Sequence, residues 1–264
     1  MFAQAFHLTA LPFEEHIDTD RILDDERFTQ ALDRLQYFAE CGLVALLTGP
    51  TGAGKSCLVK RFIHTLLPAH RYQPLYLHIS RVDAAAMLRM IVTALGEKPA
   101  LGRDRLFRQI LERTREAERA AVLIIDDAHL LNEATLTDLR LLVSAPSSTT
   151  PSLKVLLCGQ PPLSKLLARA SLADLLNRIC VRCSLRPLSK DQTVSYIDRR
   201  LKAVGGSDQL FETAAKHLIH EHTGGIPRAI NNLATTCLIH AASKQLKRVH
   251  EALVVEAAAE LRLL

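Results

Sequence analysis

The sequence lacks any apolar run approaching the roughly 20 residues that a membrane-spanning helix needs. Its start, Met1-Phe2-Ala3-Gln4-Ala5-Phe6-His7, has neither the basic region nor the apolar stretch of a secretory leader. The expectation is a cytoplasmic protein with no membrane partner. A disulfide framework is lacking too. The six cysteines are Cys41, Cys57, Cys158, Cys180, Cys183 and Cys237, and four lie inside apolar segments. They read as buried, reduced thiols. Cys180-Val181-Arg182-Cys183 has CxxC spacing, but it falls in an expected strand, where positions three apart face opposite sides. No second close pair completes a zinc set. His217, His220 and His222 cluster without a cysteine or carboxylate pattern around them, so they read as surface histidines. Repeats and low-complexity segments are absent. A dense basic tract is absent as well, although the formal net charge is +5. Between residues 103 and 119, Arg103, Arg105, Arg108, Arg113, Arg115 and Arg119 alternate with Asp104, Glu112, Glu116 and Glu118. A solvated helix face accounts for that pattern. Phosphate contacts repeated over a ring of subunits are the alternative.

What is present is enough for a real core. The chain has 264 residues, 48% hydrophobic and 23% charged, which suits one large domain or two smaller ones. Short apolar stretches bounded by turn residues predict strands at 43–47, 75–79, 122–125, 153–158 and 179–185. Helical patterns separate them at 55–67, 83–95, 103–118 and 134–144. Such alternation implies a parallel sheet with right-handed crossovers and helices on both faces. Beyond Arg186-Pro187-Leu188 only helices are expected, which divides the chain into an α/β domain at 1–185 and a helical domain at 186–264. Ser189 and Gln192 have capping-box spacing, and the helix they open is expected to stop at Gly205-Gly206. A second helix follows from Asp208 and ends before Gly224-Gly225. A third begins at Ile226-Pro227, with proline in the first turn, and a fourth covers about 249–262.

Gly49-Pro50-Thr51-Gly52-Ala53-Gly54-Lys55-Ser56 fits G-x-x-x-x-G-K-[ST] in full. An expected strand precedes it and an expected helix follows, as a phosphate-binding loop requires. Glycines let the loop curl so that its N–H groups face phosphate oxygens. The helix N-terminus adds a favourable dipole, and Cys57 continues that first turn. Lys55 reaches the β- and γ-phosphates of ATP, and the Ser56 hydroxyl coordinates magnesium. Ala121-Val122-Leu123-Ile124-Ile125-Asp126-Asp127 is the matching acidic strand end. Asp126 is expected to hold the magnesium shell, and Asp127 sits where a water-activating carboxylate is needed. No guanine-reading N-K-x-D motif and no large helicase-type insertions occur.

These motifs, with Leu8-Thr9-Ala10-Leu11-Pro12-Phe13, Ile125-Asp126-Asp127-Ala128-His129-Leu130, Cys158-Gly159-Gln160-Pro161-Pro162-Leu163, Arg178-Ile179, Leu185-Arg186-Pro187-Leu188 and Gly224-Gly225-Ile226-Pro227-Arg228-Ala229-Ile230-Asn231, resemble the ExeA/GspA-type branch of AAA+ ATPases. That branch includes ATPases encoded by transposons. The resemblance covers nearly the whole chain and implies a five-stranded P-loop domain with a C-terminal helical lid. It implies that Gln160 senses the γ-phosphate or the attacking water, and that Arg228, beside Pro227, is the lid arginine. It makes Arg178 the first candidate for an arginine finger acting on a neighbouring subunit, with Arg169 and Arg182 as competitors. Phe13, Ile226 and Pro227 are either adenine contacts or core. The family commonly ends the acidic strand in Asp-Glu, whereas this chain has Asp126-Asp127. The shorter second carboxylate predicts slow or partner-stimulated hydrolysis.

Self-association into a ring or filament, binding to duplex DNA and a transposase partner follow from the same resemblance. Secretion-type relatives continue past the lid into a membrane span, and the sequence stops at Leu264, which favours the transposition reading. Arg81, Lys154 and the polar residues 147–150 are the expected DNA contacts. A secretion or assembly ATPase acting without DNA is the alternative.

Overall fold

A computed structural model describes residues 2–14, 25–78, 82–144 and 153–261. In chain order the first elements are α1 (Phe2–Ala5), α2 (Glu26–Cys41), β1 (Val44–Thr48), α3 (Lys55–Leu66), β2 (Tyr72–His78), α4 (Ala84–Ala94), α5 (Arg103–Glu116) and β3 (Ala120–Asp126). They are followed by α6 (Glu133–Ser144), β4 (Leu153–Gly159), α7 (Pro162–Leu167), α8 (Ala173–Asn177) and β5 (Ile179–Ser184). The tail holds α9 (Lys190–Lys202), α10 (Thr213–Thr223), α11 (Pro227–Ser243) and α12 (Glu251–Glu260). Contacts divide the chain into two compact units. One comprises Asp25–Gly49 and Lys55–Leu185; the other combines Met1–Asp24, Pro50–Gly54 and Arg186–Leu264.

The first unit is a five-stranded sheet in the order β2-β3-β4-β1-β5. Every pairing is parallel, and helices cover both faces. Each of the five expected strands is found, with ends within about three residues of the expectation. The inner strands β1 and β4 are buried at every position, as parallel strands covered on both faces must be. The edge strands alternate instead. In β2, Leu75 and Leu77 are buried while Tyr76 and His78 are exposed, and Pro74 is tolerated because an edge strand has a free side. In β5, Cys180 is exposed and Cys183 buried, so the CxxC residues do face opposite ways. The buried-thiol expectation holds for Cys158, Cys183 and Cys237 and fails for Cys41 and Cys180, which are exposed.

The sequence reading omitted α2. It starts where the Asp25 carboxylate accepts the Phe28 N–H at 3.1 Å, an N-cap. Its buried stripe is Phe28, Ala31, Leu35 and Phe38, the spacing of one helical face. Its carboxyl end is finished by an unexpected group. Lys154 is buried, and its Nζ donates to Gly42 O at 2.7 Å and to Phe38 O at 3.5 Å. Phe38 O also accepts the Gly42 N–H at 2.9 Å, so the cation satisfies chiefly the Gly42 carbonyl and complements the helix dipole. Burial pushes its pKa below the usual lysine value. Lys154 is therefore a structural cap and not the exposed DNA contact that the sequence suggested.

The second unit is helical. Ser189 and Gln192 form the anticipated capping box, and Gly224 ends α10 in a left-handed conformation. Its core gathers Ile197, Phe211, Ile219, Ile230, Leu233, Cys237 and Val254. Phe13 meets Phe211 edge to face at 6.2 Å, which makes it a core residue. The buried Arg200 explains why the amino-terminal segment joins this unit: it donates to Pro12 O at 2.6 Å and Glu14 O at 3.0 Å. Thr9 adds two bonds to Val204 O. Gly225 has φ +73, and a Cβ there would lie 2.0 Å from Leu188 O. Leu188 N–H in turn donates to Gly225 O at 2.8 Å, so only glycine fits this crossing. No described helix is long and apolar enough to cross a membrane.

Candidate nucleotide-binding site

In a parallel sheet all the strands end on one side, and ligands gather at those ends. Here β1 ends at Thr48, paired with Gly159 of β4 and Ser184 of β5. Gly49 N–H donates to Gly159 O at 3.2 Å. A side chain on Gly49 would collide with Leu185 O at 2.6 Å, so the first loop glycine is required for close packing. Lys55 opens α3, is buried, and donates from Nζ to Gly49 O at 2.9 Å. Ser56 Oγ donates to Asp126 Oδ2 at 3.0 Å.

Residues 50–54 belong to the helical unit. Gly52 and Gly54 take positive φ of 78 and 102, which glycine adopts without strain. Arg228 N–H donates to Gly52 O at 3.2 Å, and a Cβ on Gly52 would meet Arg228 Cβ at 2.8 Å and Ile226 Cγ2 at 3.1 Å. Thus the loop tip and the Gly224–Asn231 motif are joined directly. Ile226 and Pro227 are half-buried beside it, while Arg228 is exposed.

Asp126 ends β3 almost fully buried, and all its oxygens are used. Oδ1 accepts the Asp127 N–H at 3.0 Å; Oδ2 accepts Ser56 Oγ and the Tyr76 hydroxyl, the latter at 2.6 Å. Burial and the neighbouring Asp126 carboxylate raise the Tyr76 pKa far above its ordinary value, so this phenol stays protonated and donates. Asp127 has φ 56, a left-handed backbone that Asp and Asn tolerate better than most residues. Its carboxylate lies 3.9 Å from His78 Nδ1 and 3.8 Å from His129 Nδ1. Gln160 follows Gly159, and its N–H donates to His129 Nδ1 at 3.4 Å. His129 therefore stands between the two residues expected to handle the attacking water. Sequence reasoning gave no role to Tyr76 or His78, and quoted His129 within the 125–130 motif without one. The alternation of β2 was the available signal for the first two, since it puts both on the face opposite Leu75 and Leu77.

The residues present fit magnesium with a nucleotide. A hydroxyl and a carboxylate, both hard oxygen donors, converge at the start of α3, and magnesium is commonly held by one or two such groups plus phosphates. No group of three or more His, Cys, Asp or Glu residues able to hold a metal occurs among the described residues, so a protein-only metal cage is not formed there.

Arg178 is exposed, at the other end of the sheet. It precedes Ile179, which pairs with Val44 at the start of β1. That is roughly 15 Å from the phosphate-loop end at about 3.3 Å per residue. Its side chain has no ion pair among the described residues. Of its competitors, Arg169 pairs with Glu133 at 2.9 Å, and Arg182 lies within β5, its carbonyl accepting Arg34 Nη1. Arg81 and residues 147–150 lie outside the described residues.

Sheet order, loop and acidic strand end define the P-loop AAA+ fold class. Residues 40–167 match the AAA domain family. The chain is 31% identical over 251 residues to the general secretion pathway protein A of Aeromonas hydrophila, a match covering 91% of this chain and 45% of that protein. The chain thus spans under half the length of that relative. Among solved structures, the Drosophila ORC bound to DNA matches with TM-score 0.74 and 20% identity over 99% of this chain and 66% of that one. Cdc6p from Pyrobaculum aerophilum matches with TM-score 0.71 and 17% identity, over 92% and 71%. The RuvB Holliday junction branch migration motor of Thermotoga maritima gives 0.62 and 18%, over 96% and 74%. At these identities the structures share the fold with this chain.

Proposed function

We propose that this chain is an AAA+ ATPase of the ExeA/GspA type that binds ATP with magnesium, assembles into a ring or filament, and engages duplex DNA in the assembled state as a regulator or target selector for a transposase. The observation that carries the ATPase reading is the pairing of Ser56 with Asp126 beside the buried Lys55. Lys55 and the loop N–H groups hold phosphate oxygens. Ser56 and Asp126 hold magnesium, which neutralises charge developing on the phosphates. Asp127 orients the attacking water, and Gln160 hydrogen-bonds it or the γ-phosphate. Asp127 is one methylene shorter than glutamate, and about 1 Å of misplacement costs on the order of 100-fold in rate, so unstimulated turnover is slow. Arg228, whose backbone N–H is bonded to Gly52 O of the loop tip, serves as the nucleotide-sensing arginine of the helical unit. Arg178, roughly a strand length from its own loop, is suited to act on a neighbouring subunit's nucleotide.

The DNA reading draws on the transposon-type resemblance and on the net positive charge. With Lys154 committed to α2, Arg81 is the remaining single-residue candidate for a phosphate contact. Repetition of such contacts around an assembly raises avidity by about 100-fold or more. The 31% identity to a general secretion pathway protein favours a second reading, an ATPase of a secretion system acting without DNA. Fluorescence anisotropy with duplex DNA at low and moderate salt, with ADP and with a non-hydrolysable ATP analogue, separates them. The first reading predicts ATP-state binding that falls steeply with salt and weakens for all sequences alike in Arg81→Glu. No binding at low salt in either state selects the second.

A further inference from the structure

Besides the Asp127 N–H on Oδ1, the Asp126 carboxylate is held by side chains from two directions. Ser56 reaches Oδ2 from the first turn of α3, at 3.0 Å, and Tyr76 reaches the same oxygen from β2, at 2.6 Å. The strand order places these supports independently, because Ser56 follows β1 whereas β2 lies on the far side of β3. Register explains the reach of the tyrosine. Tyr76 pairs with Ile124 and His78 with Asp126, so the phenol spans two residues forward along the strand. Tyr76 is 43% exposed as a residue, yet its hydroxyl bonds to a carboxylate that is almost fully buried. A hydroxyl that gives a lone pair to magnesium keeps its proton for Asp126, so the Ser56 bond survives metal binding. With the Asp127 N–H on Oδ1, the phenol adds a second side-chain donor on Oδ2 that resists displacement of that oxygen from the side of β2.

We propose that Tyr76 is a positioning residue of the magnesium shell, acting through its hydrogen bond to Asp126. The proposal rests on the magnesium–ATP reading above. Two effects of the phenol oppose each other. Donation withdraws charge from Oδ2 and weakens its pull on a cation, while fixed orientation strengthens it. Orientation dominates for magnesium, which demands near-ideal octahedral geometry, and loss of such an outer partner costs about 10–100-fold in metal affinity.

The test is Tyr76→Phe, which keeps the ring and removes only the hydroxyl. A fluorescent ATP analogue is bound to wild type and variant across a magnesium series, and again in EDTA. The expected result is unchanged affinity in EDTA with a magnesium half-saturation about 10-fold higher in the variant. An unchanged or lower half-saturation overturns the proposal. Equal loss of affinity with and without magnesium also overturns it, because Tyr76 would then support the loop and not the metal shell. The underlying reading fails separately: wild-type protein whose nucleotide affinity gains nothing from magnesium removes the site itself.

Discussion

His129 Nδ1 lies 3.8 Å from the Asp127 carboxylate and 3.4 Å from the Gln160 N–H, linking the ends of β3 and β4 between the two residues proposed to handle the attacking water. Asp127→Asn tests the catalytic half of that link. Asparagine tolerates the left-handed backbone at this position, so the fold and nucleotide affinity are retained. Hydrolysis drops at least about 100-fold, the scale of losing a general base. Unaltered turnover in a phosphate-release assay assigns the water to another group.

Lys154→Met is predicted to destabilise the protein by about 2 kcal/mol, the cost of leaving the buried Gly42 carbonyl without its donor, while Phe38 O keeps the Gly42 N–H. Urea unfolding measures it. A variant as stable as wild type but impaired in DNA binding would restore Lys154 to the surface role that the structure denies it.

The fold was legible to the extent that its signals are local. The loop 49–56 is contiguous, its glycine spacing is dictated by backbone geometry, and it is flanked by a continuous apolar strand and an apolar-periodic helix. The strands announced themselves as apolar runs, but their order did not, since nothing in the sequence says that β4 inserts between β3 and β1. Lys154 was misread because a lysine beside a polar loop looks exposed. Its acceptors lie more than 110 residues away in sequence, at the end of a helix the reading omitted. Tyr76 was lost for the same reason. Its partner Asp126 is 50 residues distant, and only strand register brings the two together.

Thiol exposure gives an independent check on the strand faces. Iodoacetamide on native protein is predicted to modify Cys41 and Cys180 first and to spare Cys158, Cys183 and Cys237. The spared thiols are buried, and burial pushes Cys183 up to about 11 and Cys237 up to about 12. Reactivity follows the thiolate, so they stay protected across neutral pH. With folded pKa values above the unfolded ones, these thiols favour the native state fully below about pH 8, and the advantage fades as pH rises toward the folded values. Mass spectrometry after a brief pulse reads the order. Early labelling of Cys183 would contradict the packing of β5.

Complementation between two variants tests whether the nucleotide site is completed by a neighbouring subunit. Lys55→Ala loses the main side-chain counterion of the phosphates and cannot hold ATP, but it still carries Arg178. Arg178→Ala binds ATP as wild type does but offers no finger. Each alone is expected to be nearly inactive, with the finger worth about 1,000-fold or more in rate. ATPase activity is then measured over a series of mixing ratios. Activity is expected to rise above both pure variants and to peak at an intermediate ratio, where Arg178 from one variant meets nucleotide bound by the other. No recovery at any ratio, with both variants still assembling, would contradict completion of the site by a neighbouring subunit.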